Sequence, residues 1–401
     1  MDLFECLVCG PAASRDPHSP FCSGCGEPLF IAPPGLGRVP VIHDERRLSL
    51  EKFADFLPLD RVDPRLSLGE GSTPLIGLDR LGRWLGRSGL HAKNEAQNPT
   101  SSFKDRGTAV AVQKAVALGA KRIGTVSTGN MAASTAAYGA RAGLDTFVLL
   151  KEGTSMTSLR VAGIHGPRLV AVEGDYGSLF QKSVEVGKRL GIMFMNSIDP
   201  YRMEGYKLTA FEIFLQLGRR VPRTVLVPLS SGGHLLGLMR GFADLERAGL
   251  AASYPTIVGV QASGCAPLVS AFERGLERWE RPAEVRTIAH AIANPTPPAG
   301  NVVLRLIRER RGLLVAVTDD EMLEAQRDLA AREGLFCQPE SATTLAALKT
   351  LVRTGRAGGD GDEVLVLTGS GLKTSALLEH APIAIHRVPV DGLEAGLARL
   401  L

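Results

Sequence analysis

Hydrophobic and polar positions follow each other along most of the chain in a pattern that predicts helices and strands in regular succession. Residues 108–118 have helical spacing, 123–127 form an apolar run of strand length, and 131–142 are helical again. The succession continues through predicted strands at 146–150, 169–172, 192–195, 225–229, 257–260, 314–317 and 364–367, and predicted helices at 179–190, 207–217, 235–247, 267–279, 319–333, 341–352 and 372–378. This pattern is typical of an α/β fold with parallel sheets covered by helices on both faces.

The N-terminal segment carries two cysteine pairs instead of this pattern. Cys6 and Cys9 form one CxxC pair and Cys22 and Cys25 the other, each followed by glycine. Such knuckles suit a tetrahedral zinc ion, and four thiolates leave no open coordination position, so the predicted zinc is structural. A disulfide pair is the alternative. We favour zinc because the N-terminus is acidic and lacks the apolar core of a secretory signal.

The less regular regions suggest where domains begin and end. Residues 1–30 are predicted to form the zinc ribbon, followed by a Pro/Gly linker at 31–37. We predict a smaller domain at 95–205, and a larger domain built from residues 31–94 and 206–401.

Composition narrows the class of function. The 46 basic and 42 acidic residues leave a net charge of +4 with both signs mixed along the chain. This is not the charge pattern of a protein that binds nucleic acid or a membrane surface. No apolar run approaches the 18 residues that a membrane span needs. We therefore expect a cytoplasmic enzyme that acts on a small molecule.

The stretch NPTSSFKDRG, residues 98–107, places Lys104 between a turn and a predicted helix. A helix N-terminus and the nearby Arg106 make the surroundings positive. Positive charge and burial both lower the pKa of an amine and free it to attack a carbonyl. An isolated Lys-Asp-Arg triplet is more often a solvated helix start, so the interpretation depends on the other loops of the chain.

Three loops that directly follow predicted strands supply that support. Residues 127–130 (STGN) combine hydroxyls with a helix N-terminus, which favours an anion, and residues 230–234 (SSGGH) suit a single phosphate. Residues 368–373 (TGSGLK) add a terminal hydroxyl. A reactive lysine, a phosphate cradle, an amide and a hydroxyl together indicate a site for pyridoxal 5′-phosphate, whose ring acts as an electron sink.

At this point the chain resembles a known family. The 98–107 motif is similar to the lysine motif of threonine synthases, within the fold-type II (tryptophan synthase β-like) pyridoxal-phosphate enzymes. The likeness continues at 70–75, 127–133, 196–205, 227–233 and 368–373. Many bacterial and archaeal members also begin with a CxxC ribbon. The resemblance implies two doubly wound domains, cofactor binding by 206–401, and a homodimer.

The resemblance also implies a role for each site position. Lys104 would bond the cofactor and shuttle protons, and Phe103 would flank the cofactor ring. Asn130 would bond the 3′-oxygen of the ring, and Thr368 its pyridine nitrogen. The cofactor phosphate would lie on Ser230, Ser231, Gly232, Gly233 and His234. A small anionic amino-acid substrate would contact Ser127, Thr128 and Gly129 through its carboxylate, and Asn196, Ser197 and Arg202 through its phosphate.

The chain departs from the family pattern at four places near this site. Met131 stands where the family usually has a threonine that contacts the substrate phosphate. Ser231 replaces the first asparagine of the usual G-N-x-G-N. The usual E-G-Q-K-T becomes EGYKL at 204–208, and E-P-A-S becomes QPES at 338–341. A lost hydroxyl donor leaves a buried oxyanion less well paired, so these changes together indicate an altered substrate. Arg202 and Ser197 indicate that an anionic group is still bound.

Three hypotheses about function follow. The leading one is a threonine synthase-like lyase that converts O-phosphohomoserine and water to threonine and phosphate. The second is β-elimination or β-replacement on another anionic amino acid such as O-phosphoserine, as in cysteate synthases, which needs no proton transfer at Cβ. A threonine dehydratase fits less well, because Thr368 stands where those enzymes usually have serine or cysteine. The third is a non-catalytic zinc-ribbon binding protein, which the intact Lys104 argues against.

Overall fold

A computed structural model describes residues 4–11, 19–32, 40–43, 49–152, 156–174, 176–378, 385–387 and 390–400. Most of the predicted linker at 31–37 lies outside these ranges. Within them, no helix combines the length and the apolar character that crossing a bilayer requires.

The strands of the described residues are, in chain order, β1 Phe4–Cys6, β2 Gly10–Pro11, β3 Leu29–Ile31, β4 Leu75–Gly77, β5 Leu90–Asn94, β6 Arg122–Val126, β7 Asp145–Lys151, β8 Arg168–Val172, β9 Ile192–Phe194, β10 Thr224–Pro228, β11 Thr256–Ala262, β12 Leu313–Val317 and β13 Glu363–Leu367. They form three sheets, which have the strand orders β2-β1-β3, β12-β11-β10-β13-β5-β4 and β8-β7-β6-β9.

The two larger sheets are parallel apart from one edge. In the six-stranded sheet Leu226 of β10 lies opposite Val258 of β11 and Leu365 of β13, and β4 alone pairs antiparallel, with β5. The four-stranded sheet is parallel throughout and lies inside residues 95–205. The predicted α/β class is therefore confirmed. The predicted domain limits stay a prediction.

The α-helices of the described residues are α1 Ser49–Lys52, α2 Asp79–Leu85, α3 Lys104–Ala117, α4 Asn130–Ala142, α5 Met156–Gly163, α6 Tyr176–Leu190, α7 Pro200–Gln216, α8 Gly233–Arg247, α9 Pro267–Glu273, α10 Gly300–Glu309, α11 Asp319–Glu333, α12 Pro339–Arg353 and α13 Leu393–Ala398. Short 3₁₀ helices occur at Ala54–Phe56, Pro64–Leu66, Glu95–Gln97, Gly371–Leu378 and Val390–Gly392. The predicted α-helix at 372–378 is thus a 3₁₀ segment, and the one predicted at 267–279 ends at Glu273.

One corrected boundary matters for the site, because α7 begins at Pro200 and not at residue 207. The side chain of Asp199 accepts the backbone N–H of Arg202 at 2.9 Å and caps the helix, and Pro200 occupies the first turn, where its missing N–H costs nothing. Arg202 and Tyr206 therefore lie four residues apart on one helical face.

The α3 and α7 backbones touch where they cross. A Cβ on Gly205 would lie 2.2 Å from the carbonyl oxygen of Arg106, and a Cβ on Gly107 would lie 2.5 Å from Cγ of Arg202. Larger residues at either position would push the helices apart. This crossing brings the Lys104 end of α3 alongside the first turns of α7.

The N-terminal ribbon rests on α7 and α8. The ring of Phe4 packs edge-on against Tyr201, with ring centroids 6.1 Å apart. Arg240 of α8 donates to Glu5 of the ribbon at 3.0 Å and also lies 3.6 Å from Glu204 of α7. The ribbon is therefore attached to the same helix that enters the candidate site.

Candidate active site

Lys104 is the first residue of α3, and its neighbours tie that helix end to the rest of the site. The backbone N–H of Phe103 donates to the carbonyl of Thr368, after β13, at 3.0 Å. The carboxylate of Asp105 accepts both the N–H and the hydroxyl of Thr100 at 2.6 Å. These bonds hold the turn before α3 in one conformation and fix where the lysine side chain starts.

The amine of Lys104 is buried, and its pKa is lowered. Burial, with a smaller contribution from the positive charge of Arg202, lowers its pKa to about 7. Arg106, which the sequence suggested as the nearby positive group, is occupied elsewhere. It forms ion pairs with Glu95 at 2.6 Å and Glu212 at 2.7 Å. The arginine that acts on Lys104 is thus the one on α7.

Aromatic rings line the space beside this amine. The rings of Phe103 and His234 stack with centroids 3.8 Å apart and an interplanar angle of 19°. The Nζ of Lys104 lies over Phe103 at 4.1 Å from the ring centroid. Since rings this close leave no room between them, the amine and the imidazole must lie on opposite faces of Phe103. Tyr206 closes the group, with its ring 5.1 Å from Phe103 and 5.4 Å from His234.

The loop after β10 has the backbone shape of an anion cradle. Gly232 has a φ of 98°, which favours glycine, and α8 begins directly after it with unpaired N–H groups. A Cβ on Gly233 would meet the carbonyl oxygen of Ser197 at 2.4 Å. The hydroxyl of Ser231 accepts the side-chain amide of Asn294 at 2.9 Å. The loop is therefore held between Ser197 and the segment before α10.

Asn130 lies at the start of α4 and reaches the loop after β13. Its amide donates to Gln338 at 2.7 Å, and its oxygen accepts from Lys373 at 2.9 Å. Thr368 pairs its hydroxyl with that of Ser341 at 2.9 Å. The three predicted strand-end loops thus meet near Lys104.

The predicted substrate-binding residues differ in their exposure and in how far their side chains are already hydrogen-bonded. Thr128 and Gly129 are exposed and Ser127 is half-buried, so their loop is accessible. Asn196 is buried, and its amide is already engaged by the N–H of Val126 at 2.9 Å and by the Ser183 hydroxyl at 3.0 Å (Ser183 lies on α6).

Arg202 is the buried cation of this site. Its guanidinium donates to the hydroxyls of Thr108 at 2.7 Å and Thr135 at 3.0 Å, while its Nε has no partner. Among the described residues no carboxylate lies within ion-pair distance of that guanidinium. Met131, buried one turn before Thr135 on α4, presents an apolar side chain to the same region.

Several buried polar atoms here are left without a hydrogen-bond partner. They are the hydroxyls of Ser102 and Tyr206, the Nε of Arg202 and both ring nitrogens of His234. Buried polar atoms are normally paired, and their concentration around one lysine indicates that a polar ligand completes the site. The donor set fits pyridoxal phosphate: an amine for the aldehyde, an aromatic wall for the ring and a glycine cradle for the phosphate.

Tyr206, Gln338 and Lys373 contribute to the site and were not among the predicted site residues. Tyr206 and Gln338 lie at positions that depart from the family pattern, and those departures could have identified them as site residues. Lys373 lies in the TGSGLK loop, but only the folded chain brings its amine to Asn130.

The cysteine pairs also converge. The sulfurs of Cys6, Cys9, Cys22 and Cys25 all lie within 4.8 Å of one another, and all four are free thiols. The Sγ atoms of Cys6 and Cys25 are 3.5 Å apart, close to the separation of about 3.8 Å that tetrahedral Zn–S bonds of about 2.3 Å impose. These cysteines could hold one metal ion.

The chain matches the family described as "Pyridoxal-phosphate dependent enzyme" over residues 66–369. It is 35% identical to threonine synthase of Methanosarcina acetivorans, over 92% of this chain and 91% of the relative. It is 38% identical to threonine synthase of Methanocaldococcus jannaschii, over 92% and 93%.

Solved structures show the same fold. Maize serine racemase superposes with a TM-score of 0.63 at 16% identity, over 82% of this chain and 92% of that one. Diaminopropionate ammonia lyase of Escherichia coli superposes with a TM-score of 0.66 at 16% identity, over 79% and 88%. Together with the lysine motif and the site geometry, these likenesses show that the chain is a pyridoxal-phosphate-dependent lyase of fold type II and belongs to the threonine synthase family.

Proposed function

We propose that this enzyme converts O-phosphohomoserine and water to threonine and phosphate. The observation that carries the proposal is the position of Arg202, a fully buried cation beside Lys104 that has no carboxylate partner among the described residues. Asp199 acts on Arg202 through its charge but forms no direct ion pair with the guanidinium. A buried cation without a directly paired anion is costly, so the site favours a substrate that brings a second negative group. The fixed fork of donors on arginine suits a phosphate.

Different residues of the site would bind the cofactor and the substrate. The cradle at 230–234 would hold the cofactor phosphate, and Phe103 would flank the cofactor ring. Thr368 would face the pyridine nitrogen with a hydroxyl, and Asn130 would bond the ring oxygen. The exposed loop at 127–129 would receive the substrate carboxylate.

Lys104 would perform the proton transfers. When bound, pyridoxal phosphate supplies an electron sink for negative charge that develops at the substrate Cα. An amine with a pKa near 7 can both accept and return a proton at neutral pH. In this reaction Lys104 would remove the Cα proton and then a Cβ proton, while Arg202 would stabilise the phosphate as it leaves Cγ. A proton would then return to Cγ, which becomes the methyl group, water would add at Cβ, and a proton would finally return to Cα.

The test is to supply the holoenzyme with O-phosphohomoserine, O-phosphoserine or threonine, and to assay released phosphate and the amino-acid product. We expect equal amounts of phosphate and threonine from O-phosphohomoserine alone. Phosphate from O-phosphoserine alone would replace this proposal with β-elimination or β-replacement, the alternative that Met131 favours because it offers no hydroxyl. No turnover of any of the three would reject both substrates.

We further propose that the four cysteines hold a structural zinc ion and that the active form is a homodimer in the cytoplasm. The proposal for zinc is supported by the sulfur-only donor set and by the spacing of the sulfurs. The remaining surface has mixed charge, and we propose no nucleic-acid or membrane partner.

Replacing Cys22 and Cys25 with serine should reduce bound zinc from about one ion per chain to nearly none, because two ligands cannot retain a structural zinc. We also expect a lower Tm, since the ribbon packs on α7 and α8. Metal content by mass spectrometry and thermal unfolding check both effects. Cys265→Ala, which removes a buried thiol outside the cluster, should keep its zinc. Zinc retained by the double variant would show that the ion binds outside the four-cysteine cluster.

A further inference from the structure

We propose that Tyr206 is a specificity-determining residue whose hydroxyl, together with Nε of Arg202, binds the anionic group of the substrate. This inference rests on the proposed function, because it names the residues that receive the phosphate. Tyr206 is fully buried on α7, and its hydroxyl has no hydrogen-bond partner. A phenol in this state carries a desolvation cost that only a bound ligand would recover.

The two unpaired donors lie on the same side of α7. Arg202 and Tyr206 are four residues apart, and both side chains pass Gly107 of α3, where a Cβ would lie 2.5 Å from Arg202 and 2.6 Å from the Tyr206 ring. The guanidinium is close enough to act on the phenol both by charge and as a side-chain donor. Since a guanidinium can only donate, the O–H proton of the phenol is still left without an acceptor. Both donors therefore face one small region between α3 and α7.

That region is adjacent to the reactive amine. The Nζ of Lys104 lies 6.0 Å from the centroid of the Tyr206 ring, and the charge of Arg202 lowers the pKa of Lys104. A ligand anchored by Tyr206 and Arg202 would place its carbon chain beside the amine. The two donors thus lie on side chains that border the amine, where the far end of a small amino acid could bind.

The protonation state supports donation. Burial raises the pKa of Tyr206, although Arg202 acts in the opposite direction. The phenol therefore stays protonated at neutral pH and can donate to an oxyanion. On the facing helix α4, Met131 offers no donor, while Thr135 is already bonded to Arg202 at 3.0 Å. The phenol is thus the hydroxyl available to an anion at this position.

The test compares Tyr206→Phe with wild-type holoenzyme in two measurements. One is the binding of inorganic phosphate, followed by the shift in Tm or in cofactor absorbance. The other is steady-state kinetics with O-phosphohomoserine. Loss of one hydrogen bond to a charged group should weaken phosphate binding and raise KM by about tenfold to a hundredfold. The cofactor absorbance and kcat should change far less, because the variant keeps Lys104 and the cradle.

Two further variants separate recognition from packing. Tyr201→Phe removes a phenol from the same helix on the side that contacts the ribbon, and it should bind phosphate like wild type. Adding Met131→Thr to Tyr206→Phe restores a hydroxyl on α4, next to the turn that Arg202 already contacts. This double variant should regain much of the lost phosphate affinity, which a purely structural role for Tyr206 would not permit.

Unchanged phosphate binding by Tyr206→Phe, or an equal loss in Tyr201→Phe, would overturn the inference. If wild type binds phosphate through Tyr206 yet releases none from O-phosphohomoserine, the inference stands and only the proposed substrate fails. If wild type turns over O-phosphohomoserine and Tyr206→Phe does so with the same KM, the proposed function stands and the inference fails.

Discussion

Replacing Lys104 with alanine should lower turnover by about 10³-fold or more, since the variant loses both the amine that bonds the cofactor and the proton-transfer group. The absorbance band of lysine-bound cofactor should disappear as well. After reduction with borohydride, peptide mass spectrometry should find the cofactor on Lys104 in the wild type. Lys121→Ala, which removes an exposed lysine, should keep both the band and the activity. A full band in Lys104→Ala would assign the cofactor bond to another lysine.

The pKa of Lys104 adds a pH dependence to this result. Its pKa is lowered to about 7, so the amine gains its reactive neutral form as the pH rises from 6 to 8. The rate at which apoprotein bonds the cofactor should rise over that interval and then level off. A lysine with an ordinary pKa of about 10.4 would still be gaining reactivity above pH 9, so the profile distinguishes the two.

Replacing Glu212 with glutamine should have the largest effect on stability. Glu212 is buried on α7 and accepts from Lys93 at 2.7 Å and from the two terminal nitrogens of Arg106 at 2.8 and 2.7 Å. Burial alone would raise its pKa, but the charges of Arg106 and Lys93 hold it below its usual range. Glu95 provides the second carboxylate that pairs with Arg106. The glutamine variant would leave two buried cations facing one anion.

Leaving such a cation unpaired typically costs about 3–5 kcal/mol. We therefore expect a lower Tm for Glu212→Gln and easier loss of the cofactor, because Arg106 anchors the same helix turn that carries Lys104. Glu246→Gln is the matched control, since Glu246 pairs with Arg310 at the partly exposed surface at 3.0 Å. Removing an exposed pair should cost less than about 1 kcal/mol. An equal decrease in Tm in the two variants would contradict the claim that the buried ion pairs of Glu212 contribute more to stability than an exposed pair.

The Arg106 network also shows what a local motif leaves open about its own side chains. The turn, the lysine and the helix start of NPTSSFKDRG are encoded within ten residues. The partners of Arg106 come from 11 and 106 residues away along the chain. Which arginine influences Lys104 therefore depended on how α7 crosses α3.

The sequence by itself determined the α/β class, the turn and helix start that position Lys104, the strand-end loops and the cysteine cluster. Each depends on short-range chemistry, and loops at the same end of parallel strands must converge. The tertiary structure alone decided the Phe103–His234 stack, the pairing of Asn130 with Lys373, and the approach of the α7 helix, with Arg202 and Tyr206, to Lys104. The Asp199-Pro200 signal for that helix was present in the sequence. The close approach of its neighbours depends on Gly107 and Gly205, whose missing side chains acquire a meaning only when two helices touch.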